Sequence, residues 1–67
     1  MAAVNTIEIT SASKVSIEDA VQNGLSKVGQ LVNNITGSTV ENIKTSTKSD
    51  GTIDEWLVTL KVTFLAQ

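Results

Sequence analysis

Carboxylates supply most of the reactive chemistry in this chain, because its 67 residues include no Cys and no His. Without His, the chain lacks the commonest general base and the commonest metal ligand. Without Cys, it can form neither a disulfide nor a thiolate metal site. A Ser or Thr nucleophile would have no strong base to activate it. The composition therefore argues against an enzyme.

Three of the seven acidic residues are candidates for a cation site. Glu18 and Asp19 are explained by a helix start and Asp50 by a turn. The glutamates that project from predicted strands are Glu8, Glu41 and Glu55. Repeated by symmetry in an oligomer, such carboxylates could surround calcium, which takes about 6–8 oxygen ligands. A solvated acidic surface is the simpler alternative, and the sequence leaves both open.

The charge distribution excludes several classes of partner. The net charge is −2, and the five basic residues are all Lys, scattered along the chain without a cluster. Nucleic-acid binding is therefore not expected.

No apolar run approaches the roughly 20 residues that span a bilayer. The start Met1-Ala2-Ala3-Val4 lacks the charge and the apolar stretch of a signal peptide, so a soluble cytoplasmic protein is expected.

A long alternating pattern near the end of the chain predicts the strand that organises the fold. Residues of one parity are all apolar and must be buried: Trp56, Val58, Leu60, Val62 and Phe64. The other face is mixed: Ile53, Glu55, Leu57, Thr59, Lys61 and Thr63. Two large apolar residues on this second face indicate a surface that meets another subunit or a ligand. The parity of Trp56 predicts a place in the core.

One amphipathic helix is predicted from Ile17 to about Asn33. Ser16 is a good N-cap, and Asp19 three residues later completes an approximate capping box. Apolar residues then recur at the three- and four-residue spacing of one helical face: Ile17, Val21, Leu25, Val28 and Val32. Gly37 is placed in the connection that follows the helix.

Two further strands are predicted, at Val4–Thr10 and Thr39–Thr47. In the second of these, Val40 and Ile43 are three residues apart, so a β-bulge near Glu41 and Asn42 is needed to put both on one face. The run Lys48-Ser49-Asp50-Gly51 is a hairpin turn. The predicted fold class is α+β: a single domain, residues 1–67, of order β-α-β-β, with a three-stranded antiparallel sheet packed on one helix.

The size of the chain predicts self-association. Ordering costs about 1.5 kcal/mol per residue, and a core this small barely offsets it. Because there is no Cys and no His, neither disulfides nor the usual metal sites can make up the difference. Oligomerisation is the remaining way to bury more surface.

Four segments, in this order and at this chain length, resemble the dodecin family, and together they cover nearly the whole chain. The segments are Thr6-Ile7-Glu8-Ile9, Ser16-Ile17-Glu18-Asp19-Ala20-Val21-Gln22-Asn23-Gly24-Leu25, Asn34-Ile35-Thr36-Gly37, and the run from Asp50 to Val62. The resemblance implies a hollow homododecamer with helices outside and sheets lining the interior. It also implies a storage protein that holds flavin (riboflavin or FMN), stacked in pairs at subunit interfaces, without catalysing a reaction.

The chain departs from the family pattern at two positions. Flavin-binding dodecins have a Trp after the helix that stacks on the flavin ring, and Gly37 takes its place here. They also have a Gln in the last strand that bonds the ring edge, and Leu57 takes its place after the matching Glu55. Flavin binding is therefore expected to be weak or absent. Gly at the Trp position resembles another branch of the family, for which calcium binding has been proposed. The alternative function is a cation-binding or purely structural shell.

Overall fold

The computed structural model describes residues 3–66, so Met1, Ala2 and Gln67 of the predicted domain lie outside the described residues. The element order confirms the predicted β-α-β-β fold: β1 Ala3–Ser13, α1 Ile17–Gly29, β2 Ile35–Thr47 and β3 Ile53–Ala66. All neighbouring strands are antiparallel, and the sheet order is β1-β3-β2. The last strand is therefore the central one.

The alternation in β3 divides the sheet into two faces, as predicted. Val58, Leu60 and Val62 are fully buried beneath α1 and, with Ala20 and Val28 of the helix, form the core. Ile7 and Ile9 of β1 pack against this cluster from the side. Trp56 lies on the same face, but it is only half-buried, at the margin of the core and not within it.

The helix begins where the sequence predicts. Ser16 is the N-cap, and its side-chain oxygen accepts a hydrogen bond from the Asp19 backbone N–H at 3.0 Å. The Ser13 hydroxyl strengthens this junction. It donates to Asp19 Oδ2 at 2.6 Å and accepts from the Val15 backbone N–H at 2.9 Å. These bonds fix the direction in which α1 leaves β1.

The predicted end of the helix, at about Asn33, is wrong, because α1 stops at Gly29. The backbone N–H of Gln30 bonds to the carbonyl of Lys27, and that of Leu31 bonds to Val28, so the last turn tightens to three-residue spacing. Asn34 then adopts a φ of 62°, a left-handed conformation that turns the chain into β2. The apolar spacing continued beyond the turn because Val32 also packs against the core.

Two strands are longer than predicted. β1 continues through the expected connection to Ser13, and β2 starts at Ile35 instead of Thr39. The placement of Gly37 in a connection was therefore wrong, since it lies within β2 and pairs with Thr63. Both extensions were missed because they are rich in small residues. Ser and Gly are typical of loops, and they form a strand only where a neighbouring strand supplies the hydrogen bonds.

The predicted β-bulge is confirmed. The register of β2 against β3 shifts between Val40 and Asn42, which leaves Glu41 as the extra residue. Val40 then pairs with Leu60 and Ile43 with Val58, so both apolar side chains lie on the helix side of the sheet.

The helix covers only part of that side. α1 packs on β1 and β3, and Asn23 on one flank of the helix donates to the Ala12 carbonyl of β1. On β2, Val40 remains 41% exposed and Ile43 47% exposed, although they lie beside the core. All but two of the residues in β2 are exposed. Strand β2 therefore lacks a cover in the single subunit.

Candidate functional site

The side of the sheet opposite α1 is the candidate binding surface and is called the open face. Hydrogen-bonded neighbours in a sheet share a face, so the strand registers identify its members. The middle of its central line runs along β3 and consists of Glu55, Leu57, Thr59, Lys61 and Thr63, between Ile53 and Leu65 at the ends of the strand. Except for exposed Lys61, these five middle residues are half-buried by their neighbours in the sheet. The middle of the open face is thus a polar strip interrupted by Leu57, with an apolar residue of β3 at each end.

Gly37 lies at one end of the open face, in a row with Thr63 and Thr6. A Cβ atom built on Gly37 would meet nothing within 4 Å, and its φ is not in the left-handed region. The backbone therefore does not require Gly at this position. A Cβ fits here without a clash in the single subunit, and its absence leaves a bare stretch of backbone.

Leu57 lies at the other end of the open face, between Ala12 of β1 and Lys44 of β2. Six residues of β3 separate Leu57 from Thr63, the partner of Gly37, which is about 20 Å at roughly 3.4 Å per residue. The two positions singled out from the family pattern therefore do not meet within one chain. A site that uses both would require two subunits.

The three glutamates proposed as cation ligands do not meet within one chain either. Glu41 projects from the bulge, and its Oε1 lies 3.4 Å from the Nζ of Lys61. Glu8 lies directly across from Lys61 on β1. Glu55 is six residues farther along β3, again about 20 Å away. Within residues 3–66, no group of three or more His, Cys, Asp or Glu side chains is arranged to hold a metal ion.

Other polar side chains on the open face were not singled out from the sequence. The hydroxyls of Thr10 and Thr59 approach to 3.4 Å across β1 and β3, and Lys44 lies beside Leu57. The alternation of β3 identifies Thr59 as a face residue. Lys44 carries no such signal, because its face depends on the bulge and on the register of β2.

A separate shallow cavity of about 330 Å³ lies outside the open face, where α1 ends. Leu31 and Phe64 supply apolar walls, and Asn33 and Asn34 supply amides. No local sequence pattern predicts this cavity, because it forms only when the end of β3 meets the turn after the helix. None of the residues between 3 and 66 that line this cavity is charged.

The fold and the open face define a small α+β binding protein with one helix laid across three antiparallel strands. The chain belongs to the dodecin family, whose model, described as Dodecin, matches residues 3–67. A comparison with curated proteins returned no match. Within the described part of the chain, the one helix is too short to cross a membrane.

Solved dodecin structures have the same fold. The chain is similar to the dodecin from Streptomyces davaonensis, with 26% identity, a TM-score of 0.90, and coverage of 98% of this chain and 96% of that one. An arginine-to-alanine mutant of the Thermus thermophilus dodecin matches with 21% identity and a TM-score of 0.91, covering 100% and 98%. The Streptomyces coelicolor dodecin matches with 21% identity and a TM-score of 0.90, covering 98% and 93%.

Proposed function

We propose that copies of this chain assemble into a hollow homododecamer that binds and stores a small molecule without catalysing a reaction. The open face lines the interior of this shell, and the helices cover its outside. The observation that carries the proposal is the exposure of β2, a strand of 13 residues with little cover on either face. Family membership supports the same conclusion.

The assembly contact includes the helix side of β2. Asn23 fixes one flank of α1 against β1, so the apolar flank that contains Val21 and Leu25 faces β2. On the side of β2 that faces this flank, Val40 and Ile43 form an exposed apolar strip beside the core. A second copy that covered the strip would enlarge the core at about 25 cal/mol per Å² of apolar surface.

The ligand site in this proposal is built between subunits. Gly37 and Leu57 lie about 20 Å apart on the open face of one chain, so they can face the same ligand only when they belong to different copies. Binding is then coupled to assembly, because the separate subunit holds only half of the site.

Flavin is the family ligand, and this chain holds it weakly in our proposal. Gly37 provides no ring to stack on, and stacking on an aromatic side chain contributes about 1–3 kcal/mol for nucleobases. Leu57 cannot replace the hydrogen bonds that a Gln makes with the ring edge. A ligand that suits the Thr-rich open face better could occupy the same place.

The assembly is tested by a substitution that should prevent association of the subunits without unfolding the single subunit. Ile43→Lys places a charge on a side chain that is 47% exposed in one subunit and buried in the proposed contact. We expect a folded protein of low mass by light scattering, whereas the unmodified chain has the mass of about twelve copies. Val15→Lys is the control, because Val15 is more exposed and lies in the β1–α1 connection, away from β2. If light scattering gave the mass of a monomer for the unmodified chain, the proposed assembly would be wrong.

The ligand is tested by flavin fluorescence with excess protein. We expect little quenching by the unmodified chain and partial recovery of binding in the double variant Gly37→Trp, Leu57→Gln. A Cβ at position 37 meets nothing within 4 Å in the subunit, so the backbone permits a Trp there, and each single variant should restore less than the pair. Submicromolar quenching by the unmodified chain would show that other residues build the flavin site.

A further inference from the structure

Asn23 is followed directly by Gly24, and an Asn-Gly sequence can undergo a spontaneous reaction that plays no part in the proposed function. In a flexible chain, the backbone nitrogen of a Gly can attack the side-chain carbonyl carbon of the preceding Asn. The new N–C bond closes a succinimide ring, and the side-chain nitrogen leaves as ammonia. Water then opens the ring at either carbonyl and leaves Asp or isoaspartate. Gly favours the attack because no side chain hinders the approach.

The folded subunit holds both partners away from this reaction. Asn23 Nδ2 donates to the Ala12 carbonyl at 3.3 Å and to Asp19 Oδ2 at 3.4 Å, so the amide is bound across the β1–α1 junction. Gly24 lies inside α1, where its N–H donates to the carbonyl four residues earlier and points along the helix axis. It is also buried, with Leu60 packed directly against its Cα. Ring closure requires this part of the helix to unwind.

We propose that Asn23-Gly24 is a spontaneous deamidation site, closed in the folded subunit and open in the unfolded chain, so that the reaction marks subunits that have lost their fold. The product impairs refolding for three reasons. An aspartate at position 23 puts a second carboxylate one helical turn from Asp19, and it removes the donor that bonds the Ala12 carbonyl. Isoaspartate also lengthens the helix backbone where Gly24 packs on Leu60.

The chain contains an internal reference for this reaction at Asp50-Gly51. The side chain of Asp50 is a carboxylate, whose carbonyl carbon is a poorer electrophile than that of an amide. In the folded chain, Thr52 donates both its N–H and its hydroxyl to Asp50 Oδ1, at 3.0 and 2.7 Å. The Gly51 N–H is engaged by the Lys48 carbonyl at 2.9 Å. Because the turn's hydrogen bonds are lost on unfolding but the carboxylate remains the poorer electrophile, we expect position 23, not position 50, to change first once the chain unfolds.

The first experiment compares folded and unfolded protein. The full-length chain is kept in neutral buffer, with and without enough guanidinium chloride to unfold it, and the peptide containing Asn23 is followed by mass spectrometry. We expect conversion at least about tenfold faster in denaturant, because the interior of a helix is reached only through local opening. Equal rates would overturn the proposal. Asn23→Gln should abolish the early conversion in denaturant, and its persistence would place the reaction elsewhere.

The second experiment tests the effect of the product. Asn23→Asp should lower the midpoint of guanidinium unfolding, because it introduces the carboxylate that deamidation produces. Gln22→Glu is the matched control, since it makes the same amide-to-acid change one residue earlier, where the amide bonds only to the Ser26 hydroxyl on the exposed face. A midpoint for Asn23→Asp equal to that of Gln22→Glu would show that the product does not hinder the fold.

Discussion

Two serines on β1 differ in hydrogen bonding but in little else. Ser11 is 4% exposed and Ser13 is 6% exposed, and both lie on the helix side of the sheet. The hydroxyl of Ser13 bonds to Asp19 and to the backbone N–H groups of the connection. The hydroxyl of Ser11 has no hydrogen-bond partner among residues 3–66. An unpaired buried hydroxyl costs free energy, whereas a paired one contributes to stability.

Ser11→Ala and Ser13→Ala are therefore expected to change stability in opposite directions. Removing the unpaired hydroxyl should leave the free energy of unfolding unchanged or raise it by about 1 kcal/mol, since no partner is lost. Removing Ser13 Oγ should lower it by about 1–3 kcal/mol, because several buried bonds are lost together. Urea unfolding of the two variants measures both. Equal losses would mean that Ser11 has a partner in solution.

The hairpin turn provides a second test at the residue scale. The Thr52 hydroxyl, and after it the Thr52 N–H, hold the pKa of Asp50 below its ordinary value of 3.8. A depressed pKa means that this carboxylate stabilises the fold above pH 3.8, and that the contribution disappears as the pH falls through the lower folded value. An NMR titration should show a pKa below 3.8. Thr52→Val removes the hydroxyl donor and should raise the pKa toward 3.8; no change would contradict the assignment.

At the scale of elements, the contact of α1 with the sheet depends on one glycine. A Cβ added to Gly24 would lie 2.8 Å from Leu60 Cδ1 and 3.2 Å from Ser11 Cβ. The helix can approach β3 this closely only because position 24 has no side chain. Gly29, at the end of the same helix, has no such contact, since the nearest atom to its added Cβ is Ile35 Cδ1 at 4.0 Å.

Gly24→Ala and Gly29→Ala should separate packing from helix propensity. Alanine improves propensity by up to about 1 kcal/mol at either position. At position 24, overpacking of about 1–3 kcal/mol outweighs that gain, so the melting temperature should fall. At position 29 the gain remains and the melting temperature should hold or rise. Thermal unfolding followed by circular dichroism decides this, and a stabilised Gly24→Ala variant would contradict the close packing.

The elements could be predicted from sequence wherever the pattern is local. The alternation of β3 and the cap at Ser16 are local, and both predictions were correct. The helix end was predicted too late because Val32 continues the apolar spacing from outside the helix. The start of β2 was missed because Gly37 and its polar neighbours become a strand only through pairing with β3. Long-range hydrogen bonding decides these boundaries, and no local pattern reports it.

For the candidate site, the sequence predicted the residues but not their distances. Leu57 and Lys61 could be placed on one face from the parity of β3. The separation of Gly37 from Leu57 required the register of β2, which two irregularities shift between Ile35 and Asn42. The pairing of Glu41 with Lys61 likewise depends on the bulge, because only the extra residue brings this carboxylate toward the ammonium group.

At the scale of the whole molecule, the subunit is a thin slab of 53 × 18 × 13 Å. A shape this flat buries few side chains completely: Ala20, Val28, Val58, Leu60 and Val62 are the buried apolar residues of the described part. The stability of the protein should therefore depend on contacts between copies more than on the core of one copy.

The melting temperature is accordingly expected to rise with protein concentration. If folding and assembly are linked, mass action favours the assembled form, and each tenfold increase in concentration adds about 1.4 kcal/mol per association step. Calorimetry over a hundredfold range of concentration measures the slope. The assembly-deficient Ile43→Lys protein should melt lower and independently of concentration. An unmodified chain with a constant melting temperature would indicate a stable single subunit or an assembly that does not dissociate before it unfolds.

The pairing of Ala3 with Ala66 places the two ends of the described chain on adjacent strands. Neighbouring strands lie about 4.8 Å apart, so a short peptide could join these ends without disturbing the sheet. New termini could then be opened in the exposed turn at Ser49, outside the core. In such a circular permutant, β3 would come first and would be followed directly by β1, so that the β1–β3 pairing would become local and the β2–β3 pairing would become the most distant. Because one pairing becomes local while the other becomes distant, the permuted chain should reach the same sheet at a similar rate, with the β1–β3 hairpin replacing the β2–β3 hairpin as the local unit.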